Sequence, residues 1–261
     1  MFWESELPLA IAHRGSRLLW PENTMTAFQG AIDLGVRFVE TDLHRTSDGV
    51  LVCFHDDALH RTTDGIGPVR AHSWSELQER DAGFWFAPHQ GFPERGKGIT
   101  IPSLEAAMEA FPDVGFVLDL KEAGFEHDLA TFLKRHGWED RVIVGSFSDR
   151  RLRAFRKASE HRVATSAGPG ESLAIFAASR RGRPLKTRAR ALQFPEEFLF
   201  RNLADRSLIE AAESLDRQVH VWTVNDPGTM SALLDTGVHG IITDRPDVLV
   251  DLINTRGTRE P

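Results

Sequence analysis

The sequence predicts a (β/α)8 TIM barrel with a small insertion after the second strand. Three observations carry that expectation. Strand-like and helix-like segments alternate through eight repeats. The strand-like segments are near-continuous apolar runs, as parallel strands buried on both faces require. The 261 residues suit a barrel of this kind as one unit, with enough chain to bury a sizeable core.

Residues 8–13 (PLAIAH) are a short apolar run fit for a buried strand. His13-Arg14-Gly15 ends it, where glycine permits a sharp exit. Pro21-Glu22-Asn23-Thr24 offers a helix start, with Asn23 or Thr24 as the N-cap. Ala27, Ala31, Ile32 and Leu34 then keep helical spacing until Gly35. Residues 37–43 form the second strand, so the chain opens as a βαβ unit. Ser47-Asp48-Gly49 is turn chemistry between two apolar alternating runs, which predicts a hairpin returning through 50–54 to His55-Asp56. Residues 58–100 are rich in Gly, Pro, Trp, Phe and His, with one short helix near 74–79. They have the size of an insertion rather than of a core connection. The alternation resumes with helices at 103–111, 126–135, 149–159, 171–179, 205–215, 227–235 and 246–253. Strands fall between them at 114–120, 141–145, 162–165, 189–194, 218–224 and 240–243. Residues 1–261 are thus read as a single barrel domain with the insertion 58–100.

Composition removes several function classes. The formal net charge is −7, which gives no electrostatic footprint for nucleic acid or an anionic membrane. The basic run 180–190 (RRGRPLKTRAR) is the local exception and reads as a solvated loop, with an anionic-surface contact as the minority reading. The lone cysteine, Cys53, excludes an intrachain disulfide and a cysteine-based zinc cluster, and alternates with Leu51 as a small buried hydrophobe would. The first ten residues, MFWESELPLA, lack a basic segment followed by an apolar one, and no apolar run approaches the roughly 18 residues of a membrane span. A soluble, cytoplasmic protein is expected. Tyrosine is absent beside 17 phenylalanines, a bias without a physical explanation here.

In a barrel, reactive groups sit at the C-terminal ends of strands. Those ends carry His13-Arg14, Glu40 and Asp42, Asp119 and Lys121, Ser146, Gln193, Trp222 and Asn225, and Asp244. Glu40 and Asp42 are two apart and point to one face of their strand. With Asp119 they make three hard-oxygen donors, a set suited to Mg²⁺ or Ca²⁺. His13 and His55 fit a general base and a general acid. Arg14, by its planar fork, and Lys121, as a point charge, fit the non-bridging oxygens of a phosphate. Charge neutralisation, an activated oxygen nucleophile and a protonated leaving group are what cleavage of a phosphodiester needs. Each signal alone is weak: an acidic pair on a strand is most often solvated, and Asp119 with Lys121 is often a surface ion pair. His220, inside a strand, reads as a satisfied core residue. The joint occurrence at successive strand ends is what chance does not explain.

These residues also carry a resemblance. In order along the chain stand His13-Arg14-Gly15, Pro21-Glu22-Asn23-Thr24, Glu40-x-Asp42, Ser47-Asp48-Gly49, His55-Asp56 and Arg61-Thr62-Thr63-x-Gly65-x-Gly67. Pro102-Ser103-Leu104-Glu105, Ser146-Phe147, Trp222-Thr223-Val224-Asn225 and Thr243-Asp244-Arg245-Pro246 follow. Together they closely resemble the glycerophosphodiester phosphodiesterase family over nearly the whole chain. The resemblance implies metal-dependent hydrolysis of a glycerophosphodiester to an alcohol and glycerol 3-phosphate. It implies Glu40 and Asp42 as metal ligands, His13 and His55 as the acid–base pair, and Arg14 and Lys121 as basic groups at the site. Glu22 and Asn23 match a supporting motif at the pocket's edge, and Trp222 an aromatic wall for glycerol. Two positions depart from the family pattern. Asp119 stands where glutamate is common, one methylene shorter, and His239 replaces an aspartate in Gly237-Val238-His239-Gly240. The segment from Asp81 to Phe86 resembles a branch with lysophospholipase D-type members, so a lysolipid is the alternative substrate. A non-catalytic barrel that binds phosphate esters is the reading from a different class.

Overall fold

The structure, a computed structural model, describes residues 7–179, 181, 187–196 and 206–257. Its elements in chain order are β1 (Leu9–His13), α1 (Met25–Asp33), β2 (Phe38–Arg45), β3 (Leu51–Cys53), α2 (Trp74–Gln78), α3 (Leu104–Ala110), β4 (Gly115–Leu120), α4 (Glu126–His136) and β5 (Val142–Gly145). There follow α5 (Asp149–Ala158), β6 (Ala164–Thr165), α6 (Pro169–Ser179), β7 (Ala191–Pro195), α7 (Arg206–Glu213), β8 (Gln218–Trp222), α8 (Pro227–Thr236), β9 (Gly240–Thr243) and α9 (Pro246–Gly257). Most of the basic run 180–190 lies outside the described residues, as do the first six residues.

Eight strands pair in the order β6-β5-β4-β2-β1-β9-β8-β7, every pairing parallel. A parallel bridge between Ser166 and Ala191 brings β7 round to β6. Two backbone hydrogen bonds fix that seam, Ala167 N–H to the Ala191 carbonyl at 2.8 Å and Arg190 N–H to the Thr165 carbonyl at 2.7 Å. The predicted (β/α)8 barrel is therefore what the chain forms. β3 stands apart and returns antiparallel along the upper part of β2, with Leu43 opposite Cys53. Gly49, at φ +92°, takes the left-handed conformation this hairpin turn requires.

The two-residue period of a strand decides what the barrel encloses. Ile11, Phe38, Val117 and Ile143 point inward and form an apolar layer low in the barrel with Leu9, Ala191 and Ile242. Two residues further along the same strands the inward positions are His13, Glu40 and Asp119. Register sets His13 opposite Glu40, and Asp42, the next inward residue of β2, opposite Asp119. The apolar floor and the polar mouth are one set of strand faces, changed in character over a single step.

Outward-facing residues bury the helices. Phe28, Leu43, Phe116, Leu118, Leu129 and Phe155 pack one side of the ring, and Leu192, Phe194, Leu208, Val219, Val221 and Leu249 the other. Each such side chain contributes about 1.5–3 kcal/mol by leaving water. Cys53 belongs to this packing, and burial pushes its thiol up to about 12. Residues 58–100 have their own small core, in which Leu59, Val69, Leu77 and Ala82 pack on Val52, Phe54 and Ile101. α2 is held there by a reciprocal cap between Ser73 and Glu76. Among the described residues, no helix is long and apolar enough to cross a membrane.

Candidate active site

A cavity of about 690 Å³ opens at the C-terminal ends of the barrel strands. The eight residues read from the sequence as acid–base, substrate-binding or metal-holding groups all line it: His13, Arg14, Glu40, Asp42, His55, Asp119, Lys121 and Trp222.

The exit from β1 places the first of them. Gly15, at φ +76°, packs so closely that a Cβ there would stand 2.7 Å from Ala27, so glycine alone fits the sharp exit. Arg14 and Asn23 both adopt the left-handed region, at φ +53° and +55°, which is uncommon away from glycine. The Asn23 N–H donates to the Arg14 carbonyl at 2.9 Å and the Arg14 N–H to the Glu40 carbonyl at 2.9 Å, so each strained residue is held by its neighbours. Thr24, one of the two N-cap candidates, caps α1 by accepting from the Ala27 N–H. That leaves Asn23 free for the site, where its amide donates to Asp42 Oδ2 at 2.9 Å and accepts from Thr41 Oγ1 at 2.7 Å.

The acidic floor is nearly closed to solvent: Glu40, Asp42 and Asp119 are 7%, 1% and 8% exposed. Lys121 Nζ bridges Asp42 Oδ1 at 2.8 Å and Asp119 Oδ2 at 2.7 Å. Burial opposes its charge, yet those two carboxylates hold the Lys121 ammonium above its usual value. Arg14 Nε lies 3.2 Å from Asp42 Oδ2. Burial likewise opposes the Asp42 charge, and Arg14 with Lys121 keeps its carboxyl below the usual range. Glu40 is treated differently. It accepts from the Arg14 backbone N–H at 3.2 Å and has His13 Nε2 at 3.9 Å. Burial, followed by the Asp42 charge, pushes Glu40 well above the usual carboxylate range.

Each histidine at the cavity has a carboxylate behind it. His13 Nδ1 is 2.7 Å from Asp244 Oδ1, and Asp244, just beyond β9, is wholly buried. Its other oxygen accepts from Arg17 Nε and from the Asn225 amide, both at 2.9 Å. Burial would raise the Asp244 carboxyl, but His13, Arg17 and Asn225 hold it at about 2. His55 Nδ1 is 2.5 Å from Asp56 Oδ1. Asp56 is bound in turn by Arg61, whose guanidinium also grips Glu22 at 2.6 and 2.9 Å. Glu22 then accepts from Arg14 at 2.9 Å. A charge chain thus runs from His55 in the hairpin, through the insertion's Arg61, back to Arg14 beside β1. Burial, with the Arg14 and Lys121 charges, lowers the His55 pKa, against the pull of Asp42.

The far wall of the cavity is apolar, lined by Phe147, Leu173, Phe194 and Trp222. Phe147 stands edge-on to Trp222 with centroids 5.4 Å apart. Phe147 and Leu173 are 62% and 60% exposed at the rim, a conspicuous apolar edge on a polar site.

Comparison with known proteins places this geometry. The model of the glycerophosphoryl diester phosphodiesterase family matches residues 13–248. The chain belongs to that family. It is 36% identical over 259 residues to the probable glycerophosphodiester phosphodiesterase 2 of Mycobacterium tuberculosis, covering 95% of this chain and 92% of that one. It is 30% identical to a glycerophosphodiester phosphodiesterase of Caldanaerobacter subterraneus subsp. tengcongensis, covering 95% and 99%. Among solved structures it resembles an Oleispira antarctica phosphodiesterase in complex with its product sn-glycerol-3-phosphate, at 28% identity and TM-score 0.77, covering 97% and 99%.

In this glycerophosphodiester phosphodiesterase family member the donor chemistry fits a divalent cation. Six carboxylates, Glu22, Glu40, Asp42, Asp56, Asp119 and Asp244, meet four permanent cations, Arg14, Arg17, Arg61 and Lys121. The excess is two negative charges, and Glu40 is the carboxylate whose ionisation the site opposes, by burial first and by the Asp42 charge second. Glu40, Asp42 and Asp119 do not draw together as tightly as a preformed ion cage. Among the described residues, the group whose ligand atoms lie within 4.8 Å of one another is Glu105, Glu109 and His136, on the outer helices α3 and α4.

Sequence reasoning passed over Asp244, Arg17 and Arg61 as site groups. Asp244 was visible as a polar residue at a strand end, and Arg61 as part of a motif, but their partners lie 231 and 39 residues away. His239 sits before β9, at the opposite end of the strand from the cavity.

Proposed function

We propose that the chain hydrolyses glycerophosphodiesters to an alcohol and glycerol 3-phosphate. The observation that carries this is the pair of carboxylate-backed histidines opening on one cavity together with Arg14, Lys121 and the three buried carboxylates. In each ring the backed nitrogen is Nδ1, which leaves Nε2 for the reacting groups. His55, lowered in pKa and so neutral near pH 7, serves as base. It takes the proton of the attacking oxygen as the new P–O bond forms; the oxygen comes from water, or from the substrate's neighbouring glycerol hydroxyl, in which case water then opens the cyclic phosphate to glycerol 3-phosphate. His13, backed by an ionised Asp244, serves as acid and gives its proton to the departing alkoxide as the old P–O bond breaks. Arg14 and Lys121 bind the non-bridging oxygens. Glu40, Asp42 and Asp119 would hold the divalent ion, Mg²⁺ or Ca²⁺, which when bound supplies charge neutralisation at the phosphoryl group. Trp222 forms the wall against which glycerol rests.

The test is a glycerophosphodiester panel with each metal, products read by phosphorus NMR. Turnover should stop on chelation and fall about 10²–10⁴-fold in each of His13→Ala and His55→Ala. Near wild-type activity in both variants sinks the reading, and indifference to chelator removes the metal. Binding of phosphate esters without turnover under every metal favours a non-catalytic barrel. A second substrate reading, a lysolipid, is favoured by the exposed apolar rim of Phe147 and Leu173. Faster turnover of a lysolipid than of glycerophosphocholine would select it.

A further inference from the structure

We propose that Arg17 is a specificity residue that binds an anionic head group on the departing alcohol. The inference rests on the phosphodiesterase reading and extends it to the half of the substrate that leaves.

Arg17 lines the active-site cavity and also a second groove of about 270 Å³ beneath the insertion, so the two spaces adjoin at its side chain. Leu18, Glu22, Trp85 and Gln90 help to line that groove. The guanidinium is anchored at one end, by Nε to Asp244 Oδ2 at 2.9 Å. Its two terminal nitrogens make no hydrogen bond among the described residues, and the side chain is 47% exposed. Arg61, which lines the same groove, has all three nitrogens engaged by Glu22 and Asp56. Glu22 is in turn occupied by Arg14 and Arg61. Among the described residues, the unengaged charge facing the groove is therefore Arg17's.

Its position relative to the chemistry is fixed by a shared carboxylate. Asp244 holds His13 with Oδ1 and Arg17 with Oδ2. The group that protonates the leaving alkoxide and the free guanidinium face are thus bound to the two oxygens of one buried residue. A substituent on the oxygen that leaves beside His13 would extend toward the cavity edge that Arg17 lines. A planar fork with two free amino groups pairs with a carboxylate and is repelled by an ammonium.

Glycerophosphoserine and glycerophosphoethanolamine differ by one carboxylate and test this directly. Wild-type kcat/KM should favour the serine ester. In Arg17→Gln the preference should fall by about fivefold to tenfold, the size of one half-exposed charge-assisted contact. Arg17→Lys, which keeps the charge without the fork, should retain only part of it. Disturbance of Asp244 by either variant lowers turnover of both esters alike and leaves their ratio unmoved, so the ratio separates head-group contact from support of His13. An unchanged ratio in Arg17→Gln, or a wild-type preference for the ethanolamine ester, overturns the proposal. Failure of the wild type to turn over either ester instead overturns the phosphodiesterase reading beneath it.

Discussion

Histidines at the mouth of the barrel and lower down in it differ in what stands behind the ring. At the mouth, His13 and His55 are backed by Asp244 and Asp56. Lower in the barrel, His220 donates from Nε2 to Gln218 Oε1 at 3.0 Å and has the Gln193 amide 3.5 Å from Nδ1. His239, beside it, has the Val219 N–H at Nδ1, 3.1 Å away, and the Glu213 carboxylate 3.5 Å from Nε2, so the ring without a carboxylate is His220. A carboxylate compensates an imidazolium for lost water, whereas an amide or a backbone N–H does not. Burial, with His239 nearby, accordingly pushes His220 down to about 3 and fixes it neutral. On the proposed mechanism the same side chain carries protons at His13 and His55 and only packs at His220, and the carboxylate behind the ring is what separates them.

The largest test of that contrast is to turn the backing carboxylates into amides. Asp244→Asn should lower kcat by about 10²–10⁴-fold, because among the described residues no other anion stands at hydrogen-bond distance from His13 in that buried site. Asp56→Asn should cost less, about tenfold to a hundredfold, because His55 is 31% exposed and water replaces part of the support. Steady-state kinetics ranks them, and a larger loss in Asp56→Asn would invert the assignment of the buried pair as dominant.

The Arg61 bridge allows a finer cut. Arg61→Ala should lower kcat by about tenfold with little change in KM, and its effect should largely vanish in an Asp56→Ala background. Additive losses in the double variant would mean that Arg61 acts through Glu22 and Arg14 instead.

The smallest effect concerns His220. The folded pKa of His220, about 3, lies below its unfolded value of about 6.5. Its contribution to stability is therefore complete above about pH 6.5 and is lost as pH falls toward 3, because only the unfolded state takes up the proton. Urea melts between pH 6.5 and 5 should show the wild type losing about 1 kcal/mol per pH unit more than His220→Gln. Parallel curves for the two proteins would show that His220 is protonated in the fold.

The fold was largely legible because buried parallel strands are written as apolar runs, and the eight site positions because barrel geometry sends strand ends to one face. What escaped was pairing. His13 and Asp244 meet because β1 lies beside β9, a neighbour relation that a linear pattern does not name. Lys121 looked like the partner of Asp119, two residues away, yet it reaches across to Asp42 on β2 as well. The weak strand at 162–165 narrowed to Ala164–Thr165, because the Arg162 N–H is still engaged by the Ser159 carbonyl in the preceding turn.

The Arg61 bridge also bears on how such a protein is recombined. A chimera that replaces 58–100 with a foreign segment would keep every barrel strand, both histidines and all three floor carboxylates. It would still lose the guanidinium that joins Glu22 to Asp56. Grafts at this mouth therefore have to be chosen by whether they carry an arginine to that point, since a splice between elements passes through the middle of the charge chain.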